Sequence, residues 1–97
     1  MEDITPEEIK ARIIEILNYG RLILSGHVKQ RMNERNYSIN DIKYILRHGD
    51  IVNIKEEGKD KYHCEVHGED LEGDNGAVIT IVAKNTELII LTVLGGV

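Results

Sequence analysis

Residues 77–94, AVITIVAKNTELIILTVL, decide the fold of this 97-residue chain. They hold two apolar runs, Ala77–Ala83 and Leu88–Leu94, that are rich in the β-branched residues favoured in strands. The polar segment Lys84–Glu87 separates the runs and predicts a hairpin connection. Because neither run alternates between polar and apolar residues, we expect two central strands that are buried on both faces.

Two further strands are predicted before this hairpin. Ile51–Lys55 is short and β-branched, and Lys61–His67 alternates the apolar residues Tyr62, Cys64 and Val66 with polar ones. That alternation predicts one buried face and one solvated face. The segment Gly68–Gly76 has three glycines and four acidic residues, which predicts a long, solvated hairpin loop. The second half of the chain therefore predicts a four-stranded, mainly antiparallel sheet.

The first half of the chain predicts about three helices. Thr5-Pro6-Glu7-Glu8 is typical of a helix start, and the helix should run from Pro6 to Tyr19. Arg21–Leu24 is expected to be a short extended link, with Ser25 capping a second helix through about Glu34. A third helix should begin at Ser38 and end at Gly49. The expected fold is a single α+β domain, residues 1–97, with the helices packed on the sheet.

Composition limits the classes of protein to which the chain can belong. Cys64 is the single cysteine, so the chain alone can form no disulfide and no cysteine-based zinc site. The longest strongly apolar run is too short to span a bilayer and the start does not resemble a leader peptide, so we expect a cytoplasmic protein that is not membrane-bound. The net charge is −5, but residues 21–47 hold six basic residues against two acidic ones. This distribution permits phosphate contact at one end of the molecule.

The most suggestive chemistry lies on the second predicted helix. His27, Arg31 and Arg35 are spaced at i, i+4 and i+8, so they form one polar ridge beside the apolar residues Val28 and Met32. Two guanidinium groups beside an imidazole can grip a phosphate and stabilise negative charge in a transition state. The alternative is a solvated helix face on which Arg31 or Arg35 pairs with nearby acids.

The polar face of the strand Lys61–His67 is a second candidate. Lys61, His63 and a neighbouring tyrosine, Tyr62, could supply general acid–base groups for the cleavage of RNA. His63 and Glu65 are about 7 Å apart at the backbone, which is compatible with shared metal ligation, but His63 and His67 are about 13 Å apart along the strand, so a metal site is not expected. The alternative is an exposed sheet face, or one that a partner covers.

The chain resembles a known bacterial family. Ser25-x-His27-x-x-x-Arg31-x-x-x-Arg35-x-x-Ser38-Ile39-x-Asp41-Ile42, then Gly49-x-Ile51-Val52, the Tyr62 strand and the closing Ile-Ile-Leu-Thr-Val strand are similar to domain of unknown function 4258. That family is similar in fold to the RelE-like and MqsR-like toxins. Thr5-Pro6 and Asn18-x-Gly20 also resemble the opening of the MqsR-like chains.

The resemblance implies the toxin of a type II toxin–antitoxin pair, an mRNA endoribonuclease that needs no metal or other cofactor. Its expected partners are mRNA, free or on the ribosome, and an antitoxin that can carry a zinc-binding domain. MqsR-like toxins have a tyrosine on the penultimate strand and a lysine after the last strand, whereas this chain has Gly76-Ala77-Val78 and Leu94-Gly95-Gly96 there. Catalytic groups must then come from elsewhere, and we expect His27, Tyr62 and His63 to be catalytic, with Arg31, Arg35 and Lys61 binding phosphate or RNA. The alternative is a non-catalytic protein-interaction domain with a toxin-like fold.

Overall fold

The computed structural model describes residues 4–95, which form three helices and five strands. The elements in chain order are α1 (Pro6–Tyr19), β1 (Arg21–Leu24), α2 (Gly26–Arg35), α3 (Ile39–His48), β2 (Asp50–Gly58), β3 (Lys61–Glu69), β4 (Asn75–Ala83) and β5 (Glu87–Gly95). The α+β class and the three helices in the first half of the chain are confirmed.

Each helix begins at a residue whose hydroxyl oxygen accepts a hydrogen bond from a free backbone amide of the first turn. Thr5 and Glu8 form the expected capping box of α1, with the Glu8 amide donating to Thr5 Oγ1 at 3.1 Å. Ser25 Oγ accepts from the Val28 amide at 3.1 Å and starts α2. Ser38 starts α3 in a second capping box. Within residues 4–95, none of the helices is long and apolar enough to cross a membrane.

The sheet has five strands in the order β1-β5-β4-β3-β2, so the prediction of four strands is wrong. Arg21–Leu24 is a strand and not a link, because it pairs in parallel with β5 from Glu87 to Ile90. The other three strand pairs are antiparallel. Four residues are too few to show a period of two, and the pairing partner lies at the other end of the chain, so local sequence could not identify β1.

All three helices contribute to one hydrophobic core on a single face of the sheet. Ile9, Ile13 and Ile16 of α1 and Ile42, Ile45 and Leu46 of α3 are buried there, as is Val28 of α2. The sheet contributes alternate residues, so each strand turns one side of its backbone toward the helices. These sheet residues are Cys64, Val66, Val78, Val82, Leu88, Ile90 and Val93.

The opposite face of the sheet, here called the open face, is not covered by any element within residues 4–95. Ile79 and Ile81 of β4, Ile89 of β5 and Ile23 of β1 lie on it, and each is only partly buried. We name these four residues the isoleucine patch. The expectation that the β4–β5 hairpin is buried on both faces is therefore wrong within the described chain, because all the helices lie on the same side.

The predicted loop Gly68–Gly76 is shorter than expected, and its connecting residues are solvated except at Asp70. Strand β3 extends to Glu69 and β4 begins at Asn75, which leaves residues 70–74 as the connection. Asp70 is buried and accepts the amides of Glu72 and Asp74 at 2.9 and 3.0 Å. Asp41 of α3 accepts the Leu71 amide at 3.2 Å, so the loop is fastened to the helix layer.

Candidate functional site

The structure places His27, Arg31 and Arg35 on one side of α2, as the spacing predicts. We call these three residues the α2 ridge. His27 and Arg35 are exposed and Arg31 is half-buried, while Val28 faces the core. Each step of four residues advances about 6 Å along a helix, so the ridge presents its groups over about 12 Å.

The groups of the α2 ridge are not used in ion pairs with any residue between 4 and 95. The three ion pairs found there join Arg12 to Asp60 at 3.1 Å, Arg21 to Glu87 at 3.8 Å and His67 to Glu65 at 2.5 Å. Arg35 nevertheless lines a small cavity of about 120 Å³ together with four acidic residues, Asp41, Asp70, Glu72 and Asp74, so nearby carboxylates can offset part of its charge. The guanidinium of Arg31 keeps its donors for an external anion, whereas that of Arg35 shares its surroundings with these carboxylates.

The position of α2 is set by the end of β1. Strand β1 stops at Leu24, opposite Ile90, and α2 then packs against β5. The guanidinium of Arg35 comes near the end of that strand, since Nη1 lies 3.1 Å from where a Cβ on Gly95 would sit. The α2 ridge therefore runs along the part of β5 that lies beyond its pairing with β1.

Strand β3 divides its candidate residues between the two faces of the sheet. Tyr62 packs against the helix-side core, with the Arg12 guanidinium 5.7 Å from its ring centroid. A small cavity of about 320 Å³ beside it is lined by Ile4, Ile54, Glu56 and Tyr62. Lys61 and His63 lie on the open face. Tyr62 and His63 therefore cannot act together on one phosphate from the same side of the sheet.

The structure does not bring Tyr62 close to the far end of the α2 ridge. Tyr62 is in register with Val82, whereas Arg35 lies at the end where Gly76 pairs with Gly95. Six residues of β4 separate these levels, or about 20 Å of strand. Strand β3 is also three strands from β1, which leads into α2, or about 14 Å across the sheet. His27, Arg31 and Arg35 thus form one group, and Tyr62 lies outside it.

The open face holds a second basic group that the sequence pattern did not indicate in full. Lys55 of β2 is the direct cross-strand partner of His63, and Lys61 is two residues away on β3. Next to them Glu65 and His67 form a side-chain pair, with His67 Nε2 2.5 Å from Glu65 Oε2. Alternation in the sequence places the β3 residues on one face, but only the β2–β3 register brings Lys55 to His63.

Two other polar features belong to the architecture. Lys10 lines a groove of about 690 Å³ between α1 and the end of α3, and its amine donates to the Gly49 carbonyl oxygen. Burial lowers the pKa of Lys10, and Asp50 opposes this effect. Because the amine of Lys10 satisfies the last turn of α3, its role in the groove is structural.

Tyr37 and Asp70 form the buried polar corner beneath the loop at residues 70–74. Burial, and secondarily the negative charge of Asp70, raises the pKa of Tyr37 to about 12. Burial also opposes ionisation of Asp70, but donors led by the Asp74 amide outweigh it and lower the pKa of Asp70. The Tyr37 hydroxyl is buried and has no hydrogen-bond partner of good geometry among the described residues. Between residues 4 and 95, no three His, Cys, Asp or Glu side chains are grouped so as to hold a metal ion.

Comparison with known protein families places most of the chain in one family. Residues 24–94 match the model of the family described as Domain of unknown function (DUF4258). No curated protein and no solved structure matches the chain. The matched segment contains α2, α3 and nearly all of β2–β5, and it leaves α1 outside. Since this segment is well over half of the chain, the protein belongs to the DUF4258 family.

Proposed function

We propose that the domain is a metal-independent endoribonuclease that binds RNA along the α2 ridge and serves as the toxin of a two-gene toxin–antitoxin pair. The observation that supports this proposal is that His27, Arg31 and Arg35 lie on one ridge and take part in no ion pair among residues 4–95. Two guanidinium groups that form no ion pair lie on the same ridge as an imidazole, although the chain has a net charge of −5. An anionic ligand bound by these groups would account for this arrangement.

The chemistry assigned to the ridge is cleavage by the neighbouring 2′-hydroxyl. The neutral imidazole of His27 accepts the 2′-hydroxyl proton, and the 2′-oxygen attacks the adjacent phosphorus. Arg31 and Arg35 donate to the non-bridging oxygens, where negative charge accumulates. The bond from phosphorus to the 5′-oxygen breaks, water on the opposite side of the phosphorus protonates the leaving oxygen, and a 2′,3′-cyclic phosphate remains. The His27 imidazolium then releases its proton to solvent. Tyr62 has no part in this scheme, since it lies on the core side of β3.

The experiment compares purified wild-type protein with the variants His27→Gln and Arg31→Gln on mRNA, with and without ribosomes. Matched controls are His48→Gln, at an exposed histidine of α3, and Arg21→Gln, at an exposed arginine of β1. We expect the two ridge variants to lose cleavage by about a hundredfold or more, the lower end for a general acid–base group, and the controls to retain it. Equal cleavage by all five proteins would refute the assignment to α2.

A second comparison tests the basic group of the open face. If His63→Gln or Lys61→Gln abolishes cleavage while the α2 variants retain it, the active site lies on the sheet and the proposal for α2 fails. Growth arrest on expression, relieved by a neighbouring gene whose product carries paired Cys-x-x-Cys motifs, tests the toxin–antitoxin assignment separately. A RelE-like or MqsR-like fold is part of the same proposal.

The alternative function, a non-catalytic interaction domain, is favoured by the isoleucine patch. Four partly exposed isoleucines on an uncovered sheet face are unusual, because the solvated face of a sheet normally carries polar residues. Absence of both growth arrest and RNA cleavage would favour this function over the first.

A further inference from the structure

We propose that the open face of the sheet is the interface of a homodimer, with a second copy of this chain packed face to face on the isoleucine patch. The inference does not depend on ribonuclease activity, since it rests on the side of the sheet away from the helix layer. It assigns a role to residues that neither the core nor the α2 ridge explains.

The first support is the pattern of the central strands. On the open face β4 presents Ile79 and Ile81, in register with Thr92 and Ile89 of β5, and Ile89 is in register with Ile23 of β1. A strand whose outer face meets water alternates apolar with polar residues, whereas these strands are apolar on both sides. Such a pattern is typical of a sheet that is packed on both faces, and the three helices supply only one layer.

The second support is the available area. The part of the open face from β1 to β3 is four strands wide and about seven residues long, or about 19 Å by about 23 Å at standard spacings. Because β1 has only four residues, one such face covers roughly 400 Å² in projection and two cover roughly 800 Å², which the relief of the side chains raises to about the 1,000 Å² expected of a specific interface. A contact confined to one edge of the sheet could not reach this value.

The third support is that a two-fold axis can place Glu65, which contacts His67 of its own chain, against a basic residue of the second copy. A two-fold axis that crosses the strands between the levels of Ile79 and Ile81 stacks Ile79 on the second copy's Ile81. The same axis brings Glu65 opposite the second copy's His63, with the second copy's Lys61 one position further along. Each contact occurs twice, as a two-fold interface requires. Face-to-face sheets pack about 10 Å apart, which long side chains from both copies can bridge.

The arrangement also separates two groups of residues by role. Lys61, His63 and Glu65 become rim residues of the dimer, while the α2 ridge, on the side of β5 away from β3, stays accessible to a ligand. A protein that dimerises and cleaves RNA through α2, and one that dimerises without cleaving, are both compatible with this interface. The dimer and the ribonuclease therefore fail or succeed in different measurements.

The test measures the mass of the full chain by sedimentation equilibrium over a dilution series. We expect twice the chain mass of 11.0 kDa at high concentration. Ile81→Lys should give a monomer, with Leu71→Lys as the matched control, since Leu71 is 54% exposed in the loop at residues 70–74, which is bound to the helix layer, and should leave the dimer unchanged. A monomeric wild type at every concentration up to the solubility limit overturns the proposal, even if another macromolecule is later found on this face.

A charge exchange between Lys61 and Glu65 gives a second test of the interface. Glu65→Lys should raise the dimer dissociation constant at least tenfold, and Lys61→Glu combined with Glu65→Lys should restore most of it. Lys61 and Glu65 of one chain are four residues apart on β3, about 13 Å, so the exchanged residues do not pair with each other within a subunit. Glu65→Lys also removes the contact of Glu65 with His67 of its own chain, and that loss is not restored by Lys61→Glu. Circular dichroism confirms that each variant is folded. A dimer unaffected by Glu65→Lys refutes the proposed orientation of the two copies, and a dimer unaffected by Ile81→Lys refutes the interface.

Discussion

The hydroxyl oxygen of Tyr37 lies 2.6 Å from the point that a Cβ on Gly76 would occupy. Tyr37 follows α2 and Gly76 lies on β4, so the close approach of the ring to the bare backbone helps to set the helix layer against the sheet. The Leu94 carbonyl oxygen and Ile45 Cδ1 are 3.1 and 3.2 Å from the same point. A Cβ at position 76 would therefore be closer than normal van der Waals contact to all three of these atoms.

We predict that Gly76→Ala destabilises the protein by about 1–3 kcal/mol, the usual range for overpacking a core. Tyr37→Phe should recover part of this loss, because it removes the hydroxyl but leaves the contacts with Leu94 and Ile45. Urea unfolding of the two single variants and the double variant measures the coupling. Gly58→Ala is the matched control, since a Cβ there meets nothing within 4 Å. Strictly additive effects of the Tyr37 and Gly76 changes would contradict the packing described.

The ionic contribution of the α2 ridge can be measured without assuming catalysis. We predict that Arg31→Gln and Arg35→Gln each lower the slope of log affinity against log salt by about 0.7 for single-stranded RNA, because each removes one phosphate contact. Fluorescence anisotropy over a range of salt concentrations measures these slopes. Arg21→Gln on β1, whose arginine pairs with Glu87 of β5, should leave the slope unchanged. If Arg21→Gln changes the slope as much as the ridge variants do, binding depends on overall charge.

The sequence predicted those features that are fixed by local rules. Helix spacing alone places His27, Arg31 and Arg35 on one ridge, and strand alternation alone separates Tyr62 from His63, so both relationships follow from a few neighbouring residues. The partnership of Lys55 with His63 depends on the register of two strands, and the strand Arg21–Leu24 depends on a partner at the other end of the chain. The exposure of Ile79 and Ile81 depends on which face of the sheet the helices pack against. Local patterns carry none of that information.

Asp41 links the start of α3 to the loop at residues 70–74. Its carboxylate accepts the Ser38 amide at 2.9 Å and the Leu71 amide at 3.2 Å, and the side chain is buried. We predict that Asp41→Ala destabilises the protein by about 1–3 kcal/mol, because it removes a helix cap and leaves a second amide without a partner. Glu8→Ala, in the exposed capping box of α1, should cost about 0.5–1 kcal/mol.

Urea unfolding compares these two capping variants, and amide hydrogen exchange at Leu71 locates the effect. Exchange there should become faster in Asp41→Ala and stay unchanged in Glu8→Ala. Equal losses of stability in both variants, with no change at Leu71, would show that the bond between α3 and the loop contributes nothing.

Two buried acids predict how stability depends on alkaline pH. Burial raises the pKa of Cys64 from 9.0 to about 11, and burial with the nearby Asp70 raises that of Tyr37 from 10.0 to about 12. Above pH 9 the unfolded chain loses these protons before the folded chain does. Ionisation therefore stabilises the unfolded state, and the free energy of unfolding falls as the pH rises. The loss begins near pH 9, where Cys64 ionises in the unfolded chain, and is complete near pH 12.

Urea midpoints measured between pH 9 and pH 12 test this loss of stability. Tyr37→Phe should remove the part above pH 10 and Cys64→Ala the part that begins at pH 9, whereas Tyr19→Phe, at a tyrosine 87% exposed, should leave the profile unchanged. A wild-type profile that is flat between pH 9 and pH 12 would mean that neither group is buried in solution as it is in this structure.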